Sequence, residues 1–330
     1  MSELRVLYVD ALQAPNAQAN VYGMTSAYKR VATVDTFDYR TCAAQHGKQI
    51  MNDALIGAAR RFKPDFIHLG KCESVTGAGL EAIRKLIPDV IIIHFFGDYR
   101  DQVIPWVADI GRAADRTVMQ IDRGPLVEAY EKADCKNIAF WPAGTDASLY
   151  APTDAPKDYD AIFMGTLGRG PDRFPWYDGR EQLAGALADA NVRLHVFGNG
   201  WDAMARHKNI THHKYVGSKG FSDACSRAKV ALGYGTEKVP SYTSWPRVLN
   251  TMACGCFFIT RWFPNIDQIF TNKKHLVWFR FIKQAVNMTK HYIVNDEARE
   301  RIAQAGRQEV LANHTWDNRI ARMLEYAGLR

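Results

Sequence analysis

The sequence predicts an α/β protein built from two doubly wound parallel sheets that face each other across a cleft. Three observations predict this fold class. Short apolar segments alternate with helical segments over residues 4–142, the alternation stops in a proline-rich segment at 141–160, and it starts again at residue 160. A length of 330 residues is also comfortable for two domains of about 150 residues each.

The first half of the chain reads as an alternation of strands and helices. Strands are predicted at residues 4–10, 31–37, 64–70, 89–100, 117–122 and 137–142, with helices around 26–30, up to residue 61, and at 125–134. The fourth strand is the clearest, because its β-branched run ends abruptly in polar residues at 97–100. Strands that alternate with helices at this spacing pair in parallel, as in a Rossmann-like domain.

The second half repeats this organisation after a linker at residues 141–160, which is rich in proline, small residues and acids. Strands are predicted at 160–165, 192–198, 214–217 and 229–235, and helices at 180–190 and 221–228. Two more helices follow at 296–314 and 316–326. We therefore predict domains at 1–145 and 146–315, and a C-terminal helix at 316–330 that packs back on the first domain.

The composition is that of a globular protein with an anionic partner. No apolar run approaches the roughly 18 residues that a membrane helix needs, and the first residues do not have the layout of a signal peptide. Six cysteines at scattered spacings suggest neither a zinc ribbon nor a disulfide framework, so we expect a cytoplasmic protein with reduced thiols. A net charge of +7 favours phosphate-bearing partners, from sugar nucleotides to nucleic acid.

Residues 240–260 are the most informative stretch. Ser244 can cap a helix that Pro246 begins and Gly255 ends, and an apolar strand up to residue 260 follows. At helical spacing Arg247 and Asn250 share a polar face. Because ligands of open α/β sheets sit at the carboxyl ends of the strands, this arrangement predicts a phosphate or nucleotide site.

A glycine-rich loop follows the first strand of the second domain. Its glycines, Gly165 and Gly168, allow backbone amides to approach a phosphate, and its arginines, Arg169 and Arg173, can clasp phosphate oxygens in bidentate fashion. A second glycine loop begins at Gly198 after the next strand. These loops add to the prediction that the second domain binds a diphosphate.

The motifs of the second half resemble the family-1 glycosyl transferases of the spore-maturation type. The family's Arg-x-x-Glu helix start, its AMACG segment and its strand ending in Thr correspond to RVLNTMACGCFFIT at 247–260. Its closing signature corresponds to IAQAG at 302–306 and to HTWDNR at 314–319. The resemblance covers about residues 140–330 and implies the GT-B fold, with the sugar donor on the second domain and the acceptor on the first.

The resemblance also implies site residues and a donor. It implies a nucleotide-diphosphate sugar, with a UDP-sugar favoured, and a diphosphate stabilised by arginines and helix-terminus amides rather than by a metal or another cofactor. Asn250 stands where relatives place the glutamate that holds the donor ribose. The residues predicted to bind the donor are Gly165, Thr166, Gly168, Arg173, Arg180, Gly198, Tyr215, Val216, Ser244, Arg247 and Asn250, and those predicted to act in catalysis are Asp98, His94, Arg169 and Arg247.

The predicted acceptor site lies at the end of the fourth strand, where we place His94 and Asp98. An inverting transferase needs a base there, whereas a retaining transferase needs mainly donor alignment and leaving-group stabilisation. Asp98 is the candidate base if the reaction inverts. The family analogy favours retention of configuration.

Three alternatives remain open at the level of the sequence. The acceptor hydroxyl is unidentified, and a hydroxymethylated base of phage DNA would suit the positive charge. A sugar-nucleotide 2-epimerase would share the architecture and need no acceptor, and a non-catalytic protein would bind the nucleotide sugar without transfer. The sequence leaves the oligomeric state open as well.

Overall fold

The computed structural model describes residues 3–13, 18–98, 100, 102–121, 123–167, 177–235 and 245–329. The chain divides into two compact units, unit 1 with Met1–Gly144 and Trp316–Arg330, and unit 2 with Thr145–Thr315. Each unit contains one six-stranded sheet whose described strand pairs are all parallel. The predicted pair of doubly wound sheets is confirmed.

Unit 1 orders its strands β2-β1-β3-β4-β5-β6. The strands are β1 (Arg5–Asp10), β2 (Thr33–Asp38), β3 (Phe66–Leu69), β4 (Ile91–Phe96), β5 (Arg116–Met119) and β6 (Ala139–Phe140). The helices are α1 (Gln18–Lys29), α2 (Tyr39–His46), α3 (Lys48–Phe62), α4 (Gly77–Leu86), α5 (Pro105–Ala113) and α6 (Pro125–Lys132). The chain winds outward in opposite directions from β1 and β3, which places the topological switch point between these two strands.

Alternate residues of the central strand pack into different cores. Leu7 and Val9 contribute to one apolar cluster of unit 1, and Val6 and Tyr8 contribute to another. All four side chains are fully buried. A strand covered on both faces in this way has the continuous apolar sequence that predicted it.

The last helix of the chain, α13 (Trp316–Tyr326), is part of unit 1. The indole of Trp141 donates a 2.9 Å hydrogen bond to the carbonyl oxygen of Arg319, and Arg319 Nε donates one of 2.9 Å to the carbonyl oxygen of Ala143. The ring of Trp316 lies so close to Gly23 of α1 that a Cβ at this position would overlap it. These contacts attach α13 to the segment that precedes unit 2.

Unit 2 orders its strands β12-β11-β10-β7-β8-β9. The strands are β7 (Tyr159–Met164), β8 (Leu194–Phe197), β9 (Ile210–His213), β10 (Ala228–Gly233), β11 (Phe258–Arg261) and β12 (Val277–Phe279). The helices are α7 (Tyr177–Asp189), α8 (Ser218–Arg227), α9 (Trp245–Ala253), α10 (Ile266–Ile269), α11 (Ile282–Val294) and α12 (Asp296–Asn313), with a 3-10 turn at Trp201–Met204. The switch point of this sheet lies between β7 and β10.

Two element predictions for unit 2 need correction. The strand predicted at residues 214–217 is wrong, because the strand is β9 and the predicted residues connect it to α8. Strand β12 was not predicted at all. Both are edge strands. In β9 the side chains need not be apolar on two faces, so the apolar pattern of a central strand is weak, whereas β12 is apolar but only three residues long.

None of the helices in the described part of the chain combines the length and apolar character that a bilayer crossing requires.

Candidate functional site

The ends of β7 and β8 hold two loops in direct backbone contact. The Gly165 N–H donates to the carbonyl oxygen of Phe197 at 2.8 Å, and the Leu167 N–H donates to that of Asn199 at 2.9 Å. A Cβ at Gly198, whose φ is +132°, would lie 2.9 Å from the carbonyl carbon and oxygen of Gly165. Glycine at 198 therefore allows the loop after β7 to lie directly on the loop after β8.

Trp201 and Gly200 hold these two loops in position through contacts with the backbone of the loop after β7. The indole N–H of Trp201, which is buried, donates a 2.7 Å hydrogen bond to the carbonyl oxygen of Gly165. Gly200 has a φ of +86°, and a Cβ there would overlap the carbonyl oxygen of Leu167. Sequence reasoning identified the glycine loop but missed Trp201, whose position directly after the loop was the available signal.

Arg180 lies beneath the loop after β7 rather than at its surface. Its side chain, on α7, is buried, and Nη1 donates a 2.6 Å hydrogen bond to the carbonyl oxygen of Thr166. Its guanidinium carbon also lies 5.9 Å from the centroid of the Phe163 ring. Arg180 therefore positions the backbone at Thr166, and its positive charge contributes to the potential on the inner side of the loop.

Arg247 reaches the same loop from α9. A Cβ at Gly165, whose φ is +152°, would lie 2.9 Å from the guanidinium carbon and Nη2 of Arg247. The guanidinium thus lies directly on the Gly165 backbone, and it also lines a small recess with Gly233 and Thr260. Arg247 is therefore at the carboxyl ends of β7, β10 and β11, which is the switch point of the sheet in unit 2.

Asn250 is bonded to the first residue of unit 2. Its side chain is buried, and Oδ1 accepts a 2.7 Å hydrogen bond from the hydroxyl of Thr145. The Thr145 N–H in turn donates to the carbonyl oxygen of His314 at 3.0 Å. With its oxygen engaged, Asn250 retains its amide N–H groups as donors for a ligand hydroxyl.

Two further side chains join this edge of the sheet. Tyr234 follows β10, and its hydroxyl accepts a 2.7 Å hydrogen bond from Nη1 of Arg261 at the end of β11. The Tyr234 ring covers Gly179 in the first turn of α7, where a Cβ would overlap it. Neither Tyr234 nor Arg261 is among the predicted site residues, although each lies at the end of a predicted strand, which was the available signal.

Tyr215 and Val216 belong to the loop between β9 and α8. Tyr215 is 58% exposed, so its ring is accessible to a ligand, whereas Val216 packs against Gly220 in the first turn of α8. Four predicted site residues lie outside the described residues, namely the donor-binding candidates Gly168, Arg173 and Ser244 and the catalytic candidate Arg169. The structure therefore brings together Gly165, Thr166, Arg180, Gly198 and Arg247 at one sheet edge and attaches Asn250 to the start of unit 2.

Unit 1 places Asp98 just after β4, as predicted, but places His94 elsewhere. His94 is not at the strand end, because it is the fourth residue of β4 and is fully buried. Its Nε2 lies 3.2 Å from the carbonyl oxygen of Lys71, and burial lowers the pKa of its imidazole to about 4. Asp98 follows β4 and is half-exposed, with Oδ2 at 2.8 Å from Lys71 Nζ and 3.6 Å from Arg100 Nη2.

Asp10 is the other carboxylate at a strand end of unit 1. It ends β1 at the switch point, its Oδ2 accepts a 2.6 Å hydrogen bond from the Tyr8 hydroxyl, and its Oδ1 accepts one of 2.7 Å from the Ala11 N–H. Burial raises the pKa of Asp10, although both hydrogen bonds oppose the shift. Among the described residues no group of three or more potential metal ligands is present in either unit.

Comparisons with known proteins agree with this architecture. Residues 180–325 match the profile of a family described as "Glycosyl transferase-like". Anabaena HepE, solved in complex with UDP and glucose, superposes with a TM-score of 0.68 at 12% identity over 98% of this chain and 100% of that one. Sucrose-phosphate synthase from Thermosynechococcus elongatus gives a TM-score of 0.65 at 13% identity over 98% of each chain.

A third solved structure is an alpha-glucosyltransferase in complex with UDP and a 13-mer DNA that contains an HMU base. It superposes with a TM-score of 0.70 at 11% identity over 99% of this chain and 100% of that one. The fold is the GT-B fold of glycosyltransferases. In this GT-B chain the family match falls on unit 2 and on α13, and it includes Arg180, Arg247 and Asn250. None of the curated protein sequences matches the chain significantly.

Proposed function

We propose that the chain is a glycosyltransferase that moves a sugar from a nucleotide-diphosphate sugar, a UDP-sugar, to a hydroxyl acceptor. The observation that carries this proposal is the position of the Arg247 guanidinium, which lies on Gly165 at the switch point of unit 2. Ligands of open α/β sheets bind at this point, and a guanidinium can hold two oxygens of a phosphate at once. The family match and the UDP-bound structures of similar fold support it.

In the proposed reaction, unit 2 stabilises the diphosphate that leaves the sugar. When the bond between the anomeric carbon and the diphosphate oxygen breaks, negative charge accumulates on the diphosphate. The Arg247 guanidinium offers positive charge and N–H donors to these oxygens. Arg180 holds the loop after β7 in place through its hydrogen bond to Thr166. In the proposed mechanism the protein therefore supplies the positive charge from its own side chains, and no metal is required.

Nucleotide titration tests the donor part of the proposal. We expect UDP to raise the melting temperature of the protein, and to do so equally with and without EDTA, because Arg247 rather than a divalent cation binds the diphosphate. GDP and CDP at equal concentration serve as base controls. The proposal fails if no nucleoside diphosphate stabilises the protein. Stabilisation by UDP that disappears in EDTA would contradict the metal-free mechanism alone.

We further propose that transfer proceeds with retention of the anomeric configuration. Neither candidate base is well prepared to accept a proton, since His94 is buried inside β4 and Asp98 is bonded to Lys71. A retaining reaction depends on donor alignment and leaving-group stabilisation instead. The position of Arg247 on the loop after β7 would serve both donor alignment and leaving-group stabilisation.

Asp98→Asn distinguishes the two stereochemical outcomes. We expect the variant to keep most of its turnover, because a half-exposed ion pair contributes only about 0–1 kcal/mol, whereas loss of a general base costs about 10²–10⁴-fold in rate. The measurement is the initial rate with the donor that UDP titration identifies, together with the anomeric configuration of the product by NMR. A loss of about 10²-fold or more, or an inverted product, would overturn retention.

A hydroxymethylated base in DNA is the acceptor that we propose. The chain has a net charge of +7, and one structure of the same fold is an alpha-glucosyltransferase bound to DNA with an HMU base. Exposed cations are available in both units, among them Arg60 and Arg61 at the end of α3 and Lys273 and Lys274 after α10. Contacts from such residues to phosphates would give binding that weakens steeply with salt.

The acceptor is tested with labelled donor and three substrates, namely duplex DNA with hydroxymethylated bases, the same duplex without them, and a free hydroxymethylated nucleoside. We expect label to enter only the modified duplex, and binding of both duplexes to weaken as the salt concentration rises. Salt-insensitive failure to bind either duplex would exclude DNA as the acceptor. Transfer to a small hydroxyl compound in that case would leave the glycosyltransferase proposal intact.

A further inference from the structure

A groove of about 420 Å³ lies at the amino-terminal ends of the strands of unit 2. Lys157 precedes β7, Lys229 is the second residue of β10, and Phe257 precedes β11, and all three line the groove. Gly165 and Arg247 lie at the carboxyl ends of the same sheet, roughly 16 Å away along a six-residue strand. The groove is therefore separate from the candidate donor site.

Four cations line this groove, and two of them have no acidic partner within the described part of the chain. Lys229 Nζ lies 3.5 Å from Asp160, and Arg299 is bonded to Asp296 at 2.7 Å. Lys157 and Arg307, in contrast, form no ion pair with any residue that the structure describes. The carboxylate of Glu300 also belongs to the groove wall, but its side chain is 64% exposed. The charges of Lys157 and Arg307 therefore remain for an anion to neutralise.

Both unpaired cations are held in place by backbone carbonyl groups. Arg307 Nε donates a 3.0 Å hydrogen bond to the carbonyl oxygen of Ala253 at the end of α9, which leaves both Nη groups as donors. Lys157 Nζ is 3.2 Å from the carbonyl oxygen of Ala228 at the start of β10. A guanidinium whose Nε is fixed can present two parallel N–H groups, the geometry that phosphate oxygens match.

A buried hydroxyl and a buried guanidinium complete the wall of the groove. Ser226 is 7% exposed, and its Oγ accepts a 2.8 Å hydrogen bond from the Thr153 N–H, so its own O–H remains a donor. Arg299 is 2% exposed, and its Nη1 donates to the carbonyl oxygen of Tyr292 at 2.8 Å, whereas its Nε has no hydrogen-bond partner among the residues that the structure describes. Burying an arginine without full satisfaction is costly, so a nearby anion would stabilise the state that the structure shows.

The thiol of Cys254 is part of the same wall of the groove. Its Sγ donates to the Ser222 hydroxyl at 3.5 Å, and the thiol lines the groove beside Arg307. A hydrogen bond with Cys225, another with Ser222 and the charge of Arg307 together lower the pKa of Cys254 against the opposing effect of burial. The hydrogen bond with Cys225 is the largest of the influences that lower this pKa, and the Arg307 charge is the smallest.

We propose that this groove is a binding site for a phosphate-bearing small molecule, held by Arg307, Lys157 and the hydroxyl of Ser226. Arg307 would bind two phosphate oxygens, Lys157 would supply a second positive charge, and Ser226 would donate a hydrogen bond. The volume exceeds what one phosphate group fills, so the rest of the groove accommodates the organic part of a sugar phosphate. The site does not depend on the proposed transferase activity.

The test uses inorganic phosphate and glucose 6-phosphate as probes, with the full chain, isothermal titration calorimetry and thermal shift. We expect both probes to bind, the hexose phosphate more tightly, and the double variant Lys157→Gln/Arg307→Gln to bind each at least about tenfold more weakly. We expect Lys157→Gln alone to lose less affinity. This variant retains the contact between Arg307 and α9, so its weaker binding could not be attributed to misfolding.

Two variants serve as controls. Arg301→Gln removes an exposed arginine from α12 without touching the groove, and we expect wild-type binding. Arg247→Ala removes the candidate donor site, and phosphate binding in the groove should survive it. The proposal is overturned if neither probe binds, if the double variant binds like the wild type, or if Arg247→Ala alone abolishes binding.

Discussion

Replacing Arg247 with alanine is expected to reduce kcat/KM by about 10²–10³-fold and to weaken UDP binding. The guanidinium lies on Gly165 at the switch point of unit 2, where a diphosphate would approach the carboxyl ends of the strands. Removing one preorganised donor from a site where charge develops in the transition state has a cost of this size in other enzymes. Steady-state rates with the UDP-sugar and calorimetric titration with UDP measure the two effects.

Arg247→Lys separates charge from geometry in this experiment. Lysine keeps the positive charge but lacks the planar pair of N–H groups, so we expect an intermediate rate. Arg206→Ala, which removes an exposed arginine elsewhere in unit 2, should behave as the wild type. Unchanged turnover and UDP affinity in Arg247→Ala, with an unchanged melting temperature, would refute the role of Arg247.

The alternation of strands and helices could be predicted because the central strands are buried on both faces. In β4 the run of β-branched residues carries this signal, and in β1 the alternate residues enter two cores. The order of the strands could not be predicted in the same way. The pairing of β7 with β10 joins residues about 70 positions apart, and no local pattern encodes it.

Strand β9 shows where the apolar pattern misleads. Residues 214–217 are more apolar than the sequence before them, yet the strand consists of Ile210–His213 at the edge of the sheet. There the ring of His213 stacks on the ring of Phe197, its register partner in β8, with the two ring centroids 4.3 Å apart. The Nε2 atom of His213 also lies 3.0 Å from Nδ1 of His195, so its polar atom has a partner while its ring covers Phe197, and a polar sequence forms a stable edge strand.

In the candidate site, the types of residue could be predicted from the sequence, but the role of each residue could not. The arginines and glycines near the strand ends were predicted from their chemistry, and Arg247 with Gly165 does lie at such an end. Arg180 is buried beneath the loop instead, because its guanidinium reaches the carbonyl of Thr166. Asn250 is bonded to Thr145, 105 residues earlier, a contact that only the three-dimensional fold creates.

Replacing Gly200 with alanine is expected to destabilise the protein by at least about 2 kcal/mol and to abolish UDP binding. Two costs combine at this position. A φ of +86° is unfavourable for alanine, and the added methyl would overlap the carbonyl oxygen of Leu167. The loop after β7 would have to move, and that loop supports the Arg247 guanidinium through Gly165.

Two glycines provide matched controls that separate these costs. Gly217→Ala places a methyl in open space at a φ of −70°, so we expect no measurable loss of stability. Gly328→Ala places one in open space at a φ of +68°, so it carries the cost of a positive φ alone, about 1 kcal/mol. Urea denaturation measures all three variants. If Gly200→Ala loses no more stability than Gly328→Ala, the loop after β7 can yield to the methyl, and the contact between the two loops does not hold Arg247 in place.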